Sequence, residues 1–135
     1  MEKYKFIEDL TSDVMFEAYG KTLADVFANA AEALFSVICQ TEKIKCKKEM
    51  EVEVKAENAE ELMINWLQEL ISVSEEVFFK EFKITEVDEK HLKARCCGEE
   101  ADPAKGETVV KAMTYYKYKF EKTKYGYLVR VSLDI

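Results

Sequence analysis

Only two stretches of this chain carry apolar residues at helical spacing, and nearly everything else alternates or forms short runs. In the first, Leu23, Val26, Phe27, Ala30, Leu34, Val37 and Ile38 recur as one stripe to Cys39, with Thr22 at the N-cap position and Asp25 three residues on. In the second, Leu62, Met63, Trp66, Leu67, Leu70 and Ile71 form a broad stripe that runs to about Val77, with Asn58 as cap and Glu61 at the capping-box position. Trp66 reads as a core anchor. The remaining segments predict strands over Tyr4 to Leu10, Val14 to Tyr19, Met50 to Lys55 with an earlier start near Ile44, Phe79 to Val87, His91 to Cys97, Val109 to Glu121, and Tyr127 to Ile135. Their connections are short, so the strands pair as antiparallel hairpins. Two helices with one apolar stripe each must cover a face of what the strands build. The predicted class is α+β, a mostly antiparallel or mixed β-sheet of six to seven strands covered by two amphipathic helices.

With 135 residues, 48% of them apolar, the chain is long enough for one core and short for two, which predicts a single domain over residues 1–135. One proline, four glycines and no internal repeat leave no linker. No apolar run approaches the ~18 residues of a membrane span, and Met1-Glu2-Lys3-Tyr4-Lys5 leads into no signal-like segment, so a soluble, cytoplasmic protein with no membrane partner is expected. A formal charge of −7 argues against direct nucleic-acid binding, because phosphate affinity comes mainly from Lys and Arg. Any link to RNA would run through another protein. The interleaved charges of Lys45 to Lys55 read as an ordinary solvated face. The four cysteines, Cys39, Cys46, Cys96 and Cys97, lack metal-knot spacing and are expected to be reduced. Adjacent Cys96 and Cys97 would point to opposite faces of a strand and bridge only with a strained peptide.

Chemistry-bearing residues are few. Asp13 stands just before a strand, and Asp134 lies one residue from the end of another, beside the Ile135 carboxylate. If those strands are neighbours, hard oxygen donors from both ends meet at one tip, which is what a hard cation takes. Against this stands the plain reading of a turn aspartate and a solvated terminal acid. Val129, Val131, Leu133 and Ile135 alternate onto the apolar side, leaving Arg130, Ser132 and Asp134 on the other. Lys111 reads either as a mobile point charge for a phosphate or an acidic partner group, or as a surface lysine packed on tyrosine rings. His91 has no companion ligand and reads as a surface residue, and the loop around Asp102-Pro103 and Gly106 is a candidate docking surface. No nucleophile motif or phosphate-cradling Gly-rich loop is present, so an enzyme is not expected.

Several of these segments together resemble the archease family. They are the opening Phe6-Ile7-Glu8-Asp9-Leu10-Thr11-Ser12-Asp13-Val14, then Ala18-Tyr19-Gly20-Lys21-Thr22-Leu23 and an Ala-rich helix. Further on come Leu62 with Trp66-Leu67-Gln68-Glu69-Leu70, Gly98-Glu99, Val110-Lys111-Ala112-Met113-Thr114-Tyr115-Tyr116, and the closing Leu133-Asp134-Ile135. Two positions depart from the pattern: Leu10 and Tyr116 stand where the family usually carries histidine. The resemblance implies a protein cofactor of the GTP-dependent tRNA-splicing RNA ligase of the RtcB type, promoting its guanylylation and multiple turnover and meeting tRNA only through the ligase. It also implies a divalent metal, calcium in known examples, near the two chain ends, with Asp13 and Asp134 as its ligands; the residue reading adds Ile135 to that set, with Lys111 close by. Two other readings stay open: a general chaperone or protein-modulating factor, and a small metal-dependent phosphoester hydrolase. The hydrolase ranks last because such a site normally supplies a general base or second metal.

Overall fold

The computed structural model describes residues 2–135. Strands β1 (Tyr4–Ile7), β2 (Val14–Gly20), β6 (Ala112–Thr123) and β7 (Gly126–Asp134) form one antiparallel sheet in the order β1-β2-β7-β6. Strands β3 (Lys48–Lys55), β4 (Val77–Val87) and β5 (His91–Glu100) form a second antiparallel sheet in the order β3-β5-β4. Helices α1 (Leu23–Ile38) and α2 (Ala59–Val73) complete the α+β fold of two helices and seven strands. The β1–β2, β4–β5 and β6–β7 hairpins close through short connections; α1 carries the chain from the first sheet to the second, α2 joins β3 to β4 within the second, and the segment 101–111 returns the chain to the first.

Local chemistry fixes the helix starts where the sequence predicts them. Thr22 accepts from the Asp25 amide while Asp25 accepts from the Thr22 amide, a complete capping box, and Asn58 accepts from the Glu61 amide. α2 ends at Val73 rather than near Val77. Ser74 closes it with a hydroxyl bond to the Ile71 carbonyl, and the three consecutive buried residues Val77, Phe78 and Phe79 already belong to β4.

The core joins both sheets through α1. Phe27 near its start packs on Phe120 of β6, with ring centroids 6.1 Å apart, whereas Phe35 two turns later packs on Phe79 and Phe82 of β4 at 5.7 and 5.4 Å. Trp66 of α2 is fully buried, meets Phe82 edge-on, and donates its indole N–H to the Phe27 carbonyl at 3.0 Å. The last strand is anchored as its alternation predicts at Val129, Val131 and Leu133, which are buried, with Asp134 exposed. Ile135, expected on the same apolar side, is exposed because β7 ends at Asp134, and Ser132 on the opposite side is buried.

One expectation is overturned. Cys46 and Cys97 are joined by a disulfide, with Cα atoms 5.0 Å apart, although 51 residues separate them. The β3–β5 ladder ends at Lys48 opposite Gly98, with Glu49 facing Cys97, and just before it the Lys47 amide donates to the Gly98 and Lys45 carbonyls at 2.8 and 2.9 Å, a tight bend that turns Cys46 back toward Cys97. Cys96, one residue away, turns inward as expected. It and Cys39 are free and buried, and burial pushes both thiols up to about 12.

Candidate functional site

The antiparallel register of β2 and β7 places Val14 opposite Leu133, so the next residues outward, Asp13 and Asp134, come together at the sheet's end. The Ile135 amide donates to Asp13 Oδ2 at 3.4 Å, across 122 residues of sequence. On the other side of β7, the Lys111 amide donates to the Asp134 carbonyl at 2.8 Å, and Ala112 pairs with Asp134. Asp13, Lys111, Asp134 and Ile135 therefore share one tip, and all four are exposed. β6 begins at Ala112 rather than Val109, so Lys111 sits at the mouth of the ladder. Lys111 is one of the residues lining a cleft of about 910 Å³, together with Gln68, Ile71, Phe78 and Val109.

A second carboxylate, Asp9, fixes the loop that delivers Asp13. Its Oδ1 accepts from the Thr11 and Ser12 amides at 2.9 and 3.2 Å and from the Tyr116 hydroxyl at 3.2 Å, while Oδ2 accepts from Lys117 Nζ at 2.9 Å. Those partners reach Asp9 because β6 bulges. Thr114 faces Ser132 and Lys119 faces Arg130, so the intervening residues leave the ladder, with Lys117 at φ 53°. Buried Ser132 closes the bulge by donating its hydroxyl to the Tyr116 carbonyl at 2.9 Å. Sequence reading missed Asp9, Tyr116 and Lys117 as a unit. The Asp9-to-Ser12 turn was recognisable locally, but its partners lie more than a hundred residues away. Of the two departures from the usual family histidines, Tyr116 is this Asp9 partner and Leu10 is fully exposed.

The hydrogen bond from Lys117, followed by those from the backbone and Tyr116, holds the Asp9 carboxyl down at about 2, against an ordinary value of 3.8. The folded state thus binds fewer protons than the unfolded chain between those values. Asp9's contribution is fully present above pH 3.8, and it is lost as pH falls through about 2. Protection of the Thr11 and Ser12 amides against hydrogen exchange, relative to their intrinsic rates at each pH, is expected to fall as pH drops through that window, and to be low already at neutral pH in Asp9→Ala. Exchange in Asp9→Ala equal to the native protein's would remove the lock.

The tip's donor set suits a hard cation. Asp13 and Asp134 carry exposed carboxylate oxygens, and Ile135, also exposed, lies beside them through its amide hydrogen bond to Asp13 Oδ2. Among the described residues, the group of three His, Cys, Asp or Glu donors that cluster within 4.8 Å lies elsewhere, at Cys46, Glu81 and Cys97. Main-chain and water oxygens would therefore complete the shell at the tip. Among the described residues, the ionic partner of His91 is Glu53, and His91 stays outside any such group.

The profile of the Archease protein family (MTH1598/TM1083) matches residues 4–135, the tip included. The chain belongs to the archease family. Protein archease of Methanosarcina mazei is 39% identical over 99% of this chain and 97% of its own length. That of Sulfurisphaera tokodaii is 38% identical over the whole of both. Among solved archease folds, protein 1598 of Methanobacterium thermoautotrophicum superposes with a TM-score of 0.82 at 33% identity, covering 100% of both chains. An archease from Thermotoga maritima described as a possible chaperone superposes at 0.70 over 96% of this chain and 95% of its own; at 20% identity that likeness concerns the fold. Among the described residues, no helix of this archease is long and apolar enough to cross a membrane.

Proposed function

We propose that this archease is a metal-bearing protein cofactor of the GTP-dependent tRNA-splicing RNA ligase of the RtcB type, promoting guanylylation and repeated turnover. The observation that carries the reading is the β2–β7 register, which brings Asp13 beside Asp134 and the Ile135 amide in a chain of this family. Asp13, Asp134 and the Ile135 carboxylate would hold a divalent cation, calcium by its preference for oxygen ligands. When bound, that ion supplies positive charge at an exposed edge. The residues of the chain do the rest: Asp9 with Tyr116 and Lys117 sets the loop, β7's buried face fixes Asp134, and Lys111 offers a mobile cation to a phosphate or an acidic group of the ligase. Nucleotide transfer and strand sealing belong to the ligase, so tRNA is met only through it. The net charge of −7 agrees with a protein partner rather than RNA. We place this function in the cytoplasm.

The test is ligation of a cleaved tRNA by the cognate ligase under multiple-turnover conditions, with this protein, without it, and with Asp134→Ala. Stimulation by the native chain that falls to the unassisted level in the variant is the expected result. Asp134 is exposed, so the variant keeps the fold, which circular dichroism checks.

A general chaperone is the second reading. It is favoured by the exposed apolar side chains of Phe6, Leu10, Val109 and Tyr115 and by the description of the Thermotoga maritima relative. It expects suppression of aggregation of an unrelated client, indifferent to Asp134 and to metal. No stimulation of the ligase together with such suppression would replace the first reading by the second.

A further inference from the structure

A second group of ligand-type side chains lies on the three-stranded sheet. Cys97 occupies the central strand β5 on its outward face, with Glu81 opposite it on β4 and Glu49 opposite it on β3. Cys46 reaches the same point from the turn before β3. One donor atom each from Cys46, Glu81 and Cys97 lies within 4.8 Å of the others, and Glu81 Oε2 stands 3.4 Å from Cys97 Sγ. A tetrahedral zinc-type ion with metal–sulfur and metal–oxygen distances of about 2.3 and 2.0 Å holds its sulfur and oxygen ligands about 3.5 Å apart. The sulfur-to-carboxylate spacing already matches. Cys46 and Glu81 are exposed, so a cation and a fourth, water ligand have access.

We propose that Cys46, Cys97 and Glu81 form a thiol-gated site for a soft divalent cation of the zinc type, closed by the disulfide and opened by reduction. Reduction breaks the Sγ–Sγ bond: a dithiol reductant gives up two electrons and two protons and leaves as its own disulfide, while Cys46 and Cys97 become thiols. The cation then takes both as thiolates, two protons pass to solvent, and the Glu81 carboxylate is the third ligand. Flanking Lys45 and Lys47, both exposed, and Arg95 two residues along β5 favour the thiolate forms by charge. Glu49 is drawn away toward Arg95 Nε at 3.8 Å, which leaves the fourth position to water.

This site differs in kind from the aspartate tip. Thiolates select soft metals, whereas carboxylates and carbonyls select hard ones. It also stands apart from the other two cysteines, because Cys39 and Cys96 are buried free thiols.

The full chain, reduced with a phosphine and desalted without oxygen, is titrated with cobalt(II), whose bonds to thiolate give a charge-transfer band. The expected result is a band that saturates at about one cobalt per chain, is displaced by zinc, and is absent from the oxidised protein. Cys46→Ser and Cys97→Ser each abolish it, Glu81→Gln weakens binding about tenfold or more, and Asp13→Ala leaves it unchanged. Alkylation before and after reduction counts the accessible thiols. No band with both thiols free, a band that survives Cys46→Ser and Cys97→Ser, loss of the band in Asp13→Ala, or a disulfide that the phosphine leaves intact would each overturn the proposal.

Discussion

Replacing Trp66 by alanine is expected to destabilise the protein by about 3–5 kcal/mol, the range for emptying a fully buried aromatic site. The side chain is wholly inaccessible and touches the two elements that tie the layers together: its ring meets Phe82 of β4, and its indole N–H bonds the Phe27 carbonyl of α1. The cavity would open where α1, α2 and the three-stranded sheet converge, so no single side chain can swing in to fill it. For a domain whose total stability is about 5–15 kcal/mol, that loss is a large share, and the melting temperature should fall by about 10–20 °C. Trp66→Phe keeps most of the ring and gives up the N–H. Its cost should stay near the ~1 kcal/mol of one hydrogen bond plus a small void. Thermal melts of both variants check this, and a loss under 1 kcal/mol for Trp66→Ala would mean the helices are not joined through this residue.

What could be read from the sequence divides along the distance between interacting residues. Thr22 with Asp25, and Asn58 with the Glu61 amide, act over three positions, so both helix starts were legible. The inward alternation of Val129, Val131 and Leu133 was equally local. The partition into two sheets was not, because nothing within β3 or β7 states which strand lies beside it. The Cys46–Cys97 bond and the Asp9 lock failed for the same reason: each depends on a register or a bulge that only the folded chain defines. Asp13 and Asp134 are a mixed case. Alternation placed each at a strand end, the family resemblance suggested their meeting, and the β2–β7 ladder supplies the physical cause of it.

Gly98→Ala is expected to be the other severe substitution, at about 3 kcal/mol or more, because the space for even one methyl group is absent. A Cβ at Gly98 would lie 1.9 Å from the Phe78 carbonyl oxygen and 2.8 Å from the Phe79 Cα. These are backbone atoms of the neighbouring strand, so no rotamer change can relieve the clash; β4 and β5 would have to part. Left-handed geometry is not the cause, since the glycine with positive φ among the described residues is Gly126. Close approach is, and it explains why Gly98-Glu99 stands as a pair. The glycine lets β4 close in, and Glu99 uses the position to accept from the Lys45 amide at 2.7 Å and from Lys105 Nζ at 2.6 Å. The Gly98 carbonyl meanwhile accepts from the Lys47 amide at 2.8 Å, which holds the turn that carries Cys46. Gly106 is the control. Its added Cβ would meet nothing nearer than 3.6 Å, so Gly106→Ala should stay within about 0.5 kcal/mol of the native protein. Chemical denaturation of the two variants separates the explanations: equal costs would make both glycines matters of chain flexibility, whereas a loss confined to Gly98→Ala, with exposure of Cys97 on reduction, ties the disulfide's neighbourhood to the approach of β4.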